Sequence, residues 1–212
     1  MSAAYGHEVT QQDLELISGK SGWHFGVFMG LGAKHMVTGY DHLLFLAGVL
    51  FLLRGVRDIA VYISLFALGH SITLISGVLF KLSVSPYAVD AIIGLSVAYK
   101  GFDNLGGFQS LFGNSPNDKL AVFLFGLFHG LGLATKLQDA ELHDDGLIGN
   151  LIGFNVGVEI GQFAALVGIL GLFRLLQLGP NLAVTRIMVN VGLMVAGFTL
   201  MAHQLLMLSD AG

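Results

Sequence analysis

The 212-residue chain has no cysteine. Disulfides, thiolate metal ligands and cysteine nucleophiles are therefore excluded, and any transition-metal chemistry falls to His, Met and carboxylates. Charge is scarce: Asp, Glu, Lys and Arg together make up 11% of the residues, against about 25% in soluble domains. So little charge cannot coat a water-soluble globule. Positive charge is in deficit, with 10 Lys and Arg against 14 Asp and Glu. No basic face exists to neutralise phosphates, which excludes nucleic acid as a partner. The first 24 residues lack the basic start and apolar core of a signal peptide, so the membrane spans themselves are expected to direct insertion. No Gly-x-x-x-x-Gly-Lys-Ser/Thr motif is present to bind ATP.

What the chain has instead is apolar surface and glycine. Hydrophobic residues are 54% of the total, with 30 glycines, and mean hydropathy is +0.76. This composition excludes disorder and points to an all-α, polytopic transmembrane bundle whose natural solvent is the bilayer. A single membrane domain is expected over residues 1–212, with a polar segment at 1–24 and the bundle at about 25–208. A span needs about 20 mostly apolar residues, and about six stretches qualify. They are Ala33–Leu53, Ile59–Leu79, Ala88–Phe102, Leu120–Leu133, Leu147–Leu172 and Leu182–Leu208, the last after Gly179-Pro180. Phe25–Leu31 is too short to span and reads as an apolar lead-in, either packed or re-entrant, or as the start of a longer tilted first helix.

Basic residues in short loops set orientation. With the N-terminus outward, Arg54, Arg57, Lys119, Arg174 and Arg186 lie inside, and Lys20, Lys81 and Lys136 outside. Lys34 and Lys100 stand too near span ends to assign. Glu8, Asp13, Glu15, Asp139, Glu141, Asp144 and Asp145 gather on the outer side, where they would concentrate cations. The expected location is a bacterial inner membrane.

Glycines recur at helical spacing. Gly149, Gly153, Gly157 and Gly161 form one face of the fifth span; Gly22, Gly26 and Gly30 precede the first, and Gly126 and Gly130 sit in the fourth. Such ridges let helices approach closely in lipid, where hydrophobicity does not drive association. They serve packing within one bundle, or a homo-oligomer or membrane-complex partner.

Ionisable groups inside spans are costly and mark function by default. The first span carries His35, Asp41 and His42. On a regular helix His35 and His42 share a face but stand about 10.5 Å apart along the axis, two stations rather than one site, unless Gly39 breaks the helix. The second span carries His70 with Ser71 and Thr73, and the fourth carries His129. The fifth carries Asn155, Glu159 and Gln162 as a polar stripe expected to face the bundle. Asp90 and His203 are weaker candidates, and His143 belongs to an acidic loop. Asp41 and Glu159 have no interior Arg to balance them, which calls for a bound cation or protons. The candidate metal ligands are therefore His35, Asp41, His42, His70, His129 and Glu159, supported by Ser71, Thr73, Asn155 and Gln162. Imidazole with carboxylate and no thiolate suits a divalent transition metal, and does not distinguish Ni, Co, Zn, Fe or Cu.

Four ordered blocks carry a resemblance. They are His35-x5-Asp41-His42 followed by Leu-Leu-Phe-Leu, Gly69-His70-Ser71-Ile72-Thr73-Leu74, Phe125-Gly126-Leu127-Phe128-His129-Gly130, and Phe154-Asn155-x-Gly157-Val158-Glu159-x-Gly161-Gln162. Together the sequence resembles the HupE/UreJ family, closest to its second, widespread branch. The resemblance implies a small helical membrane protein associated with nickel or cobalt uptake, and it implies metal motifs at His35, Asp41, His42 and His129. Where the nickel-permease branch has a second histidine and a glutamate soon after Phe-His-Gly, this chain has Leu131-Gly132-Leu133-Ala134. The leading expectation is a metal permease or metal-handling membrane protein. One alternative is an intramembrane zinc hydrolase with His42, His70 and His129 on the metal and Ser71 nearby. The other is a non-catalytic accessory subunit of a larger membrane complex.

Overall fold

A computed structural model describes residues 11–52, 55–138, 140, 142–175 and 183–210. Glu8, Arg54, Asp139, Glu141 and the Gly179-Pro180 pair lie outside the described residues. Within them the chain is helical, without strands: α1 (Gln11–Ile17), α2 (Phe25–Thr38), α3 (Tyr40–Leu52), α4 (Val56–Leu79), α5 (Pro86–Asn104), α6 (Gly107–Phe112), α7 (Asp118–Gln138), α8 (Leu147–Leu175) and α9 (Ala183–Asp210). Four helices are long and apolar enough to cross a bilayer, at Arg57–Leu79, Asp118–Gln138, Leu147–Leu175 and Ala183–Asp210. α5 has 19 residues and opens on a Ser85 cap with Pro86 in its first turn, the position where proline costs no hydrogen bond.

The first expected span departs from expectation. Phe25–Leu31 is not a separate lead-in but the first half of α2, and the helix stops at Thr38. Gly39 is extended (φ −71°, ψ 101°), its N–H still bonded to the His35 carbonyl, and α3 begins at the next residue. A single glycine therefore divides one apolar stretch into two helices. Asp41 falls in the first turn of α3, where a negative charge complements the helix dipole.

Glycine organises three helix pairs. Along α8, Gly149, Gly153, Gly157 and Gly161 face Trp23, Phe25, Met29 and Ala33 in turn, so α2 and α8 run side by side in the same direction. Gly69 of α4 faces the backbone of Phe123 and Leu127, while Gly126 and Gly130 of α7 face that of Phe66 and His70; these helices are also parallel. Gly94 and Gly101 of α5 meet Gly197 and Asn190 of α9 in antiparallel register. The expected ridge at Gly22, Gly26 and Gly30 is corrected. A Cβ at Gly26 or Gly30 would meet nothing within 4 Å, and Gly22 lies outside the helix at φ +91°. Gly32, on the opposite flank of α2, is the residue that touches the Phe154 carbonyl, because the contact face of α2 is set by Phe25, Met29 and Ala33.

Buried polar ties join α5 to α3, α7 and α9. Asn104 of α5 donates to the carbonyl of Gly48 and to Asn190 Oδ1, both at 2.8 Å. Arg186 donates to the Asn104 carbonyl through Nε at 2.9 Å and again through a terminal nitrogen. Lys100, left unassigned from the sequence, is 5% exposed and pairs with Asp103 at 2.8 Å and Asp118 at 3.2 Å. This ion cluster sits where α5 ends and α7 begins.

Candidate metal centre

The break at Gly39 converts the His35–His42 spacing into proximity. Their rings lie 4.9 Å apart, edge to face, where a continuous helix would hold them two turns apart. His42 is the hub: its ring is 4.7 Å from His129 and 6.5 Å from His70. Asp41 Oδ1 lies 3.1 Å from His42 Nδ1 and accepts the His42 backbone N–H at 2.9 Å. His35, Asp41, His42, His70 and His129 are all buried.

Among the described residues two donor sets have all their ligand atoms within 4.8 Å of one another: His35–His42–His70 and Asp41–His42–His129. Donors around one first-row ion sit about 2.0–2.2 Å from it and so about 4 Å apart at most. Side-chain adjustment of under about 1 Å would close either set. Three imidazoles, or two imidazoles with one carboxylate, and no sulfur fit a borderline divalent ion.

The surroundings are apolar. Phe66 packs against His42, His70 and His129, Phe45 against His129, and Phe154 against His35. The centre thus lies where the core around Phe28, Leu74, Leu133 and Phe154 meets that around Phe45, Phe66 and Val122. A cavity of about 10 Å³ touches His42, Met36, Phe66 and Gln162, room for about one water.

The remaining expected residues divide. Asn155 is 9% exposed and Gln162 1%, but Glu159 is exposed on the outer side of α8 and does not join the cluster. The stripe expected to face inward is corrected at that residue: Glu159 falls just past the edge of the buried arc centred on Val158. Ser71 Oγ donates to Asn155 Oδ1 at 2.9 Å, tying α4 to α8. Thr73 Oγ1 donates to the Leu127 carbonyl at 2.6 Å, tying α4 to α7. Both hydroxyls therefore position the helices that carry His70 and His129. The grouping His42–His70–His129 with Ser71, on which a zinc hydrolase would depend, is not one of the two sets that converge. His143 and His203 are exposed and outside the cluster. Asp90 is buried and paired at 3.2 Å with Lys136, in the last turn of α7. The Asn104–Asn190–Arg186 tie was missed; its signal was two asparagines on otherwise apolar helices.

Gly39 offers a direct probe. An alanine Cβ there would stand 2.6 Å from His42 Nδ1 and 3.0 Å from Asp41 Oδ1, and alanine also favours continuing the helix. Gly39→Ala is expected to weaken Co²⁺ binding by about 10–100-fold, comparable to loss of a partner that orients a metal ligand. Titration with Co²⁺, alongside an unchanged melting temperature, would check it.

The family model described as HupE / UreJ protein matches residues 11–208, nearly the whole chain. No curated protein and no solved structure matches it.

Proposed function

The chain belongs to the HupE/UreJ family, and from that premise we propose that it is a divalent transition-metal permease of the nickel/cobalt type. The family is linked to nickel and cobalt handling, and the four apolar helices with family membership indicate an integral membrane protein. The observation that carries the finer reading is the convergence of four buried histidines and Asp41 at a break between two helices. Discontinuous helices that present polar groups at mid-depth are a recurrent way to bind ions in membrane transporters. Imidazole and carboxylate replace the hydration shell of the ion, and two overlapping donor sets around His42 allow it to shift without full release.

In this reading α2 with α3, and α5, make two further crossings beside the four long helices, six in all. Arg57, Lys119, Arg174 and Arg186 then fall at one end of the bundle, where α4, α7 and α9 begin and α8 ends. That end is the cytoplasmic one by the positive-inside rule. The N-terminus faces outward across a bacterial inner membrane. The metal is cargo, and Ni²⁺ and Co²⁺ are the first ions to try. Gly153, Gly157 and Gly161 are covered by α2, and Gly149 by Trp23, within the chain, so a partner subunit would dock on another face.

Reconstituted protein should carry Ni²⁺ or Co²⁺ into vesicles loaded with a metal-quenched dye. His129→Ala should slow that flux by about tenfold or more, since it removes a ligand rather than a ligand's support. Equal flux in wild type, variant and protein-free vesicles would end the permease reading.

A further inference from the structure

A second small cavity lies beyond Asp41, between α3, α5 and α9. It has a volume of about 10 Å³ and is lined by Tyr40, Asp41, Asp90 and Gln204, with Ile93 and Leu200. Nothing in the histidine cluster requires it. Its polar lining is oxygen-rich and, apart from Asp41, comes from residues that the metal motifs do not include. Asp90 is 6% exposed and Gln204 4%. Gln204 Oε1 is fully buried and accepts no hydrogen bond from the described residues, although an amide oxygen in an apolar bundle needs a donor or a cation. Asp90 Oδ2 is 3.2 Å from Lys136 Nζ, and the Lys136 side chain, in the last turn of α7, is 17% exposed.

We infer that this cavity is a second cation station, built from oxygen donors, that hands a divalent ion to the histidines through Asp41. The inference rests on the metal-handling reading of the chain and assigns it a further site. Asp41 lines this cavity and also belongs to the Asp41–His42–His129 set, so one carboxylate serves both stations. Room for one water-sized body, with two carboxylates and an amide oxygen on its walls, suits an ion that has shed part of its hydration shell. Lys136 supplies the counter-charge at rest. An arriving divalent ion replaces the ammonium beside Asp90, and the lysine swings toward water. Hard oxygen donors meet the ion first and imidazoles second, an order that favours capture of a hydrated ion before the tighter nitrogen ligands engage.

The test uses the full-length protein in detergent and two probe ions. Mn²⁺, which prefers oxygen, is followed by electron paramagnetic resonance, and Co²⁺ by the visible band that imidazole ligands give it. Asp90→Asn and Gln204→Leu should each weaken Mn²⁺ binding, Asp90→Asn by about tenfold or more, while the Co²⁺ band persists. His129→Ala should do the reverse. Lys136→Gln should tighten Mn²⁺ binding several-fold, because a competing charge is gone; a salt bridge with only a structural role would give no such gain. Thermal melts identify any variant that fails to fold, and Lys136→Gln then decides alone. Mn²⁺ affinity unchanged in both Asp90→Asn and Gln204→Leu, or lowered in Lys136→Gln, overturns the station. Absence of an imidazole band for Co²⁺ in the wild type would instead count against the histidine centre, and the Mn²⁺ arm would still decide the station.

Discussion

His42→Ala is expected to strip the protein of bound Co²⁺ or Ni²⁺, whereas His35→Ala and His129→Ala each leave a weakened site. The asymmetry follows from position. His42 belongs to both donor sets, while His35 and His129 belong to one each. Without His35 the Asp41–His42–His129 set remains, and without His129 the other remains. Without His42 neither keeps three donors. The expected drop in affinity exceeds the roughly 10–100-fold that loss of an orienting partner costs. Metal content after gel filtration, with each variant's melting temperature as a folding control, reads the result. Wild-type metal content in His42→Ala with loss in His129→Ala would mean that the hub is misassigned.

The largest effect on stability is expected at Gly157. Its missing side chain lets the Met29 carbonyl and the Ala33 N–H of α2 lie against the α8 backbone. A valine there cannot be accommodated by turning a flexible neighbour, because the atoms it would strike are backbone. Overpacking costs typically about 1–3 kcal/mol and occasionally more, and a backbone clash belongs at or above the top of that range. Gly168 lies on the same helix, and a Cβ there would meet nothing within 4 Å. Thermal melts in detergent should show Gly157→Val strongly destabilised or aggregated and Gly168→Val close to wild type. Equal behaviour of the two would show that α2–α8 contact does not hold the bundle together.

Particular residues show what the sequence made legible. The histidines were readable because apolar helices tolerate few ionisable groups, and those few must meet one another. The period of four at Gly149–Gly161 was readable because it marks one face of a helix. The break at Gly39 was open from the sequence: histidines seven positions apart specify separation on a regular helix and proximity across a kink, and local composition does not choose. Glu159 misled for a related reason. On the helical wheel it stands about 40° from Asn155, but the buried arc of α8 is fixed by where α2 and α4 lie, and it ends between them. Lys100 and Asp103 pair within α5 at i,i+3, but the pairing of Lys100 with Asp118 and of Asp90 with Lys136 depends on which helices become neighbours, which no single helix encodes.

Gly39 has a mechanical consequence. His35 moves with α2, which is bound to α8; Asp41 and His42 move with α3, which rests on α5; His70 and His129 ride on α4 and α7. An ion held among these donors would be a clasp joining parts of the bundle that also meet through one extended residue, packing and hydrogen bonds such as Ser71 to Asn155. Opening the clasp and separating the parts would be the same motion, so release of the ion would loosen the joint, and a force that spreads the parts would drive the ion off.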